Sequence, residues 1–163
     1  MAILKDIYRG YKFTVTISGN GILTRTAFQK VSGLKTSVEV VDYREGNMPD
    51  RVQKIPGMMS YDTVTLERGL SNDSDFKNWV EKVCKVSDGG SADVPAGGSA
   101  DYARQVTITL YNKQGQAVKE YKLLDAFPSE YTIGDFDASS NDVVISTIVL
   151  QHHGIIETHK ANN

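Results

Sequence analysis

The sequence predicts one mainly β domain, an antiparallel β-sandwich or barrel-like fold with a single flanking α-helix. Three observations carry this expectation. Stretches that alternate polar and apolar residues recur along most of the 163 residues, as strands with one buried face do. A period between three and four occurs once, and Asn-Gly or Gly-bearing turns separate neighbouring extended stretches at hairpin distances. The length supports one sizeable core, so residues 1–163 are read as a single domain.

In "YKFTVTI", Tyr11, Phe13, Val15 and Ile17 alternate with Lys12, Thr14 and Thr16. Asn20-Gly21 tolerates positive φ at both turn positions and predicts a hairpin into the extended stretch around "TAFQKV". "KTSVEVVDYRE" sets Thr36, Val38 and Val40 against Ser37, Glu39 and Val41. Residues 43–60 read as a loop, far longer than the two to five residues of an ordinary hairpin connection. In "YDTVTLERG", Val64 and Leu66 oppose Thr63, Thr65 and Glu67. Phe76, Trp79, Val80, Val83 and Cys84 then form the stripe of an amphipathic helix over 72–86, with Ser71 or Asp73 as its N-cap and Lys82 and Lys85 at its negative end. Residues 87–101 repeat "GGSAD" and bury almost nothing, so a flexible surface insertion is expected. Strands resume in "ARQVTITLYN", turn near Gly115, and continue in "AVKEYKLL". An irregular crossing over 125–142, broken at Pro128, leads to "VVISTIVLQHHG" and "IIETH", for seven or eight strands in all.

A hydrophobic fraction of 40% and a charged fraction of 23% describe a folded chain, and a net charge of −2 without clustered Lys and Arg gives no footprint for gripping nucleic acid. A single cysteine, Cys84, excludes an internal disulfide framework and reads as a core filler. The opening "MAILKDIYRG" has charges after four residues and no apolar stretch, so no secretory leader is expected. The longest apolar run, "VVISTIVL", is far below the ~20 residues of a spanning helix, and membrane insertion is not expected.

Catalytic and metal signatures are weak. No phosphate-binding loop, nucleophile elbow, C-x-x-C or H-E-x-x-H occurs. Asp135, Asp137 and Ser139 alternate as in a calcium loop, but Ser140 and Ser146 replace the required glycine and bidentate acid, so solvated loop carboxylates are the simpler reading. His152 and His153 point to opposite faces of a strand and cannot share one ion. Asp73 and Asp75 open a helix, where carboxylates are favoured on structural grounds. Trp79 and Phe76 sit at core spacing, not on a stacking platform. No catalytic residue, cofactor or metal is therefore assigned, and the chain is read as a non-enzyme.

The order of "YKFTVTI", "FQKVSGL", "VEVVDYREG", "KIPGMMSYDTVTLERG", the helix with Trp79, "DAFPSEY" and "DASSNDVVISTIVLQHHG" resembles that of the tail tube proteins of contractile-tailed bacteriophages and related contractile injection systems. Each segment alone is a weak signal; their order and spacing over most of the chain are specific. The duplicated "GGSAD" stretch resembles an insertion, and His153 stands where relatives often carry an acid. The resemblance implies a structural subunit that closes into hexameric rings with a continuous inner β-barrel. The rings would stack into a hollow conduit for DNA delivery, inside a virion tail made in the host cytoplasm. Implied partners are further copies of the chain, a sheath protein, baseplate and terminator proteins, and a tape measure protein and DNA passing through the lumen without sequence-specific binding.

On that resemblance the loop at 43–60 is expected to make inter-subunit contacts: Met48, Ile55, Met58 and Met59 through apolar, adaptable side chains, and Asp50, Arg51 and Lys54 through charge pairing that sets register. A lumen that does not retain DNA should be polar and poor in cations, and Ser37, Glu39, Thr63, Thr65 and Glu67 are the candidates to line it. Two alternatives remain: the inner tube of a non-phage device of bacteriocin or secretion type, and a monomeric β-sandwich that binds a ligand.

Overall fold

The computed structural model describes residues 12–19, 22–26, 28–44, 52–70, 75–87, 102–137, 139 and 143–159. The strands are β1 (Phe13–Gly19), β2 (Ile22–Thr26), β3 (Lys30–Ser32), β4 (Thr36–Tyr43), β5 (Gln53–Tyr61), β6 (Val64–Gly69), β7 (Arg104–Tyr111), β8 (Ala117–Ile133), β9 (Ile145–Gln151) and β10 (Gly154–His159). The helix is α1 (Asp75–Ser87). All pairings are antiparallel, so the expected class holds.

Eight strands form one sheet that folds on itself through β8, whose 17 residues belong to two leaves. Its first half lies between β7 and β10, and its second half pairs with β9, continuing through β6 to β3. The corner falls where Asp125 adopts φ 47° and the register slips between Pro128 and Glu130. Residues 125–133, expected to be irregular, are therefore strand. Pro128 is accommodated at the bulge, where a missing N–H removes no ladder bond.

The inward faces meet in one core: Val15 and Ile17, Val64 and Leu66, Val106 and Ile108, Leu123 and Ala126, Ile148 and Leu150. The helix closes this core with Phe76 and Trp79. Trp79 is completely buried and its Nε1 donates to Tyr102 O at 2.7 Å, which satisfies the polar atom a buried indole brings inside. Phe76 meets Phe28 edge to face at 5.7 Å, and Arg68 lies 4.3 Å above the Phe76 ring. Cys84 is exposed and fills no core. Eight positions beyond Phe76 it has turned ~80° away from that side chain, off the buried stripe. The expected caps Ser71 and Asp73, and the "GGSAD" stretch at 88–101, lie outside the described residues.

The largest departure concerns residues 43–60. Residues 53–61 are strand, and they pair with β4 in a separate two-stranded ribbon. Pro56 and Gly57 hide this in the sequence, because both are strand breakers when read singly. They are tolerated because the register shifts between Val38 and Val40, setting Gly57 and Met58 opposite Glu39 in a bulge.

This ribbon continues the β3–β6 pair. Ser32 pairs with Thr65 and, past a bend, Thr36 pairs with Tyr61, so three residues on each strand make the bend without changing register. Gly33 turns the corner at φ 89°, and a Cβ there would stand 2.0 Å from Thr63 O. Asp62 N donates to Lys35 O at 3.1 Å, and Lys35 Nζ reaches the Asp62 carboxylate at 3.0 Å. His152, half buried beside Tyr61 with ring centroids 5.7 Å apart, bonds Asp62 O through Nε2 at 3.0 Å.

Two consequences follow for stability. Gly33→Ala combines a left-handed backbone with a backbone clash and should cost at least ~2 kcal/mol. Gly115→Ala, at φ 84° with open space around its Cβ, should cost only about 1 kcal/mol. Urea unfolding of the two variants compares them directly, and equal costs would contradict the role given to Gly33.

Burial holds the His152 ring below its usual pKa, with His153 acting in the same direction and the backbone of Asp62 and Gly154 opposing. The unfolded chain protonates this ring near ~6.5, so just below that pH it binds more protons than the folded chain. Stability should therefore fall as pH drops from ~6.5 towards the lowered folded value. In His152→Gln that part of the slope should vanish in urea unfolding followed from neutral to mildly acidic pH.

Candidate functional site

The ribbon is the most unusual surface of the molecule. A two-stranded ribbon has no third layer, and every side chain from Val38 to Ser60 in the described parts of β4 and β5 is exposed. Pairing assigns the faces. Thr36 and Tyr61, Val38 and Met59, Val40 and Pro56, and Asp42 and Lys54 share one face; Ser37 and Ser60, Val41 and Ile55, and Tyr43 and Gln53 share the other. The Asp42–Lys54 ion pair at 3.3 Å and the Ser37–Ser60 hydroxyl contact at 2.9 Å fit this assignment. Met58 is 78% exposed, Met59 59%, Val40 57% and Val41 48%. Apolar side chains at this density on both faces of one ribbon mark a surface made for contact.

Of the expected contact residues, Lys54, Ile55, Met58 and Met59 stand on β5, while Met48, Asp50 and Arg51 lie outside the described residues. The five candidate lumen residues fall into two groups. Ser37 and Glu39 are on the ribbon; Thr65 and Glu67 are on β6, with Thr63 in the bend before it.

Around Thr65 and Glu67 the registers build two rows across four strands. One runs Lys30, Glu67, Thr147, Thr132; the other runs Ser32, Thr65, Val149, Glu130. Lys30 Nζ is held by Glu67 Oε1 at 3.0 Å, and Thr132 Oγ1 donates to Glu130 Oε1 at 3.1 Å. The face is hydroxyl-rich and slightly anionic, with its lysine already paired.

The other leaf carries a comparable face that the sequence reading did not single out. Thr14, Thr109, Glu120 and Thr158 form one row, and Thr16, Thr107, Lys122 and Ile156 the next. Lys122 bonds Glu120 at 3.3 Å. The alternating threonines of "TVT" and "TIT" were the available signal.

Nothing in these surfaces forms a catalytic constellation. Asp137 Oδ1 accepts from Ser139 N at 2.9 Å and Ser139 Oγ at 2.6 Å, a local turn that keeps its carboxyl below the usual range. His153 Nδ1 lies 3.8 Å from Asp125 Oδ2, whereas His152 serves the bend, so the neighbouring histidines have separate partners. Among the described residues no group of three His, Cys, Asp or Glu could hold a metal ion. A cleft of about 300 Å³ beside β3 is lined by Phe13, Val31, Leu34, Ile108 and Leu110, with Gln29, Lys30 and Tyr121. Among the described residues no helix is long and apolar enough to cross a membrane.

Comparison with solved structures finds close likenesses along the whole chain. A chain of the anti-feeding prophage (AFP) baseplate, determined by cryo-EM with 6-fold symmetrisation, matches with a TM-score of 0.81 and 26% identity, over 96% of this chain and 98% of that one. A chain of the PVC sheath–tube complex, an extracellular contractile injection system in its extended state, matches with a TM-score of 0.74 and 24% identity, over 96% and 95%. A crystal structure of Hcp protein shares the fold at a TM-score of 0.56 and 13% identity, over 90% and 92%. No curated protein sequence matches significantly. The family model described as T4-like virus tail tube protein gp19 matches residues 9–156, and the chain belongs to that tail tube family.

Proposed function

We propose that copies of this chain close into six-membered rings whose strands make a continuous inner barrel, and that the rings stack into the hollow inner tube of a contractile tail. The observation that carries the proposal is the exposed apolar ribbon, which a lone subunit leaves in water. About four strands from each of six copies gives ~24 strands, and at ~4.8 Å spacing and ~40° tilt the backbone barrel is ~48 Å across. Such a channel admits a nucleic-acid duplex. The 6-fold symmetrisation of the similar AFP baseplate structure supports the ring order.

A sheath partner is supported by the similar chain in the PVC sheath–tube complex, and a terminator by the likeness, over 95% of this chain, to the PVC sheath/tube terminator structure. A tape measure protein and DNA as lumen contents, and a virion tail as location, complete this reading. A non-phage injection device, whose cargo is protein, is favoured as the second reading by the two extracellular and prophage systems among the likenesses. Nuclease-protected nucleic acid inside purified particles distinguishes the first from the second.

The lumen wall is assigned to Ser37, Glu39, Thr63, Thr65 and Glu67 together with the hydroxyl-rich rows around Thr65. A wall with few free cations gives passing phosphates no counterion exchange to drive binding. The ribbon's Lys54, Ile55, Met58 and Met59, with Met48, Asp50 and Arg51 on the chain between its strands, make the contacts between subunits.

Negative-stain microscopy of the purified wild-type chain should show rings or tubes of uniform width. Val40→Asp with Met59→Asp, both on one exposed face of the ribbon, should leave subunit stability within about 0.5 kcal/mol yet abolish those assemblies. Tubes unaltered by this pair of charges would contradict the ribbon's role. With Cys84 replaced by serine, Thr65→Cys should react with a polymer-linked maleimide in the free subunit and be shielded from it in the tube. Equal reaction in both states would remove Thr65 from the lumen.

A further inference from the structure

A side-chain hydrogen bond from His152, in the segment between β9 and β10, ties the ribbon's bend to the body. The bonds from Asp62 N to Lys35 O and from Lys35 Nζ to the Asp62 carboxylate run within the bend and do not reach the body. The segment that carries His152 is itself fixed to the β8 corner, where His153 N donates to Leu124 O at 3.0 Å. The His152 ring lies against Tyr61, whose own ring covers Gly154 so closely that a Cβ there would stand 3.8 Å from Tyr61 Cζ and Oη. Asp62 O is a carbonyl and can only accept, so His152 Nε2 carries the proton of their 3.0 Å bond. Nδ1 is then the nitrogen with the lone pair. It is buried and has no hydrogen-bond partner among the described residues.

We infer that His152 is a proton-sensitive latch on the ribbon's root: the neutral ring fixes the ribbon's direction, and protonation at Nδ1 releases the ribbon while the body stays folded. An imidazolium needs an acceptor for each N–H, and a charged donor enclosed without one carries its full desolvation cost. The charged and titratable groups around the ring are already matched to one another. Lys35 Nζ sits 3.0 Å from the Asp62 carboxylate, His153 lies 3.8 Å from that of Asp125, and the Tyr61 hydroxyl donates to Met59 Sδ at 3.1 Å. Burial, aided by His153, outweighs the backbone of Asp62 and Gly154 and keeps the ring below its usual pKa. A released ring in water titrates near ~6.5, so the latch holds above that pH and weakens as pH falls towards the lowered value. Turning the ring into water relieves the charge and gives up both the Asp62 bond and the Tyr61 contact. The body keeps its core, because none of these residues belongs to it.

Spin labels on Met58→Cys in the ribbon and Gln114→Cys at the turn between β7 and β8, both exposed sites, read the ribbon's direction in the free subunit once Cys84 is serine. The distance distribution should show one narrow peak at pH ~7 and lose it at pH ~5, a window in which histidine is the side chain that ordinarily changes charge. Emission from Trp79, the single tryptophan and fully buried in the body, should stay constant across that window. His152→Gln, whose amide can still donate to Asp62 O, should keep the peak at both pH values. His153→Gln and His159→Gln should lose it as the parent chain does. As a second measurement, the His152 ring followed by NMR should titrate over the range in which the peak is lost. Titration of the ring with the peak intact would overturn the latch, as would an undiminished pH response in His152→Gln or a shift of Trp79 emission in step with the peak. The latch belongs to the single subunit, so each of these outcomes leaves the tube reading untouched.

Discussion

A two-stranded ribbon cannot bury its own side chains, and this constraint organises the molecule. β4 and β5 satisfy each other's backbone groups along one edge each and leave both faces and both outer edges to whatever surrounds them. An isolated ribbon of this kind is marginal in water. Here its exposed valines, Ile55 and the two methionines would be a liability on a monomer, and the proposed assembly gives them a surface to cover them. The body of the domain, by contrast, is complete. Its folded sheet and helix bury Trp79, Leu66, Leu123, Ile148 and Leu150 without outside help.

That division of labour depends on a rigid root. Gly33 permits the bend, the Asp62 backbone and carboxylate hold it through Lys35, and His152 and Tyr61 pack against it. A ribbon aimed by such a root pays little extra ordering entropy when it docks, because its direction is already set. The corner at Asp125 does the same for the body, turning one strand from leaf to leaf so that two hydroxyl-rich outer faces back onto a single core. Membership of the tail tube family gives these faces their context: a tube wall needs one surface towards its contents and one towards its jacket.

Much of this was legible in the sequence. The alternation in "YKFTVTI" and "VTITLYN" located β1 and β7, and the stripe of Phe76 and Trp79 located the helix and its buried face, because burial against a core imposes a period. Gly115 was found by its turn. The ribbon's second strand was not, since a strand exposed on both faces has no reason to alternate, and the bulge at Gly57 and Met58 breaks what pattern remains. Cys84 was misjudged because small apolar residues at the margin of a helical stripe look like core. Of the expected contact residues, the structure places Lys54, Ile55, Met58 and Met59 on one exposed strand, and it divides the lumen candidates between ribbon and sheet.

Amide hydrogen exchange along β4 and β5, compared between the free subunit and the assembled protein, tests the central claim most directly. If the ribbon completes its burial and hydrogen bonding only among copies of itself, these amides should exchange rapidly in the subunit and slow by at least tenfold on assembly, about 1.4 kcal/mol of added protection, while β1 and β7 change little. Equal protection of the ribbon in both states would contradict the account.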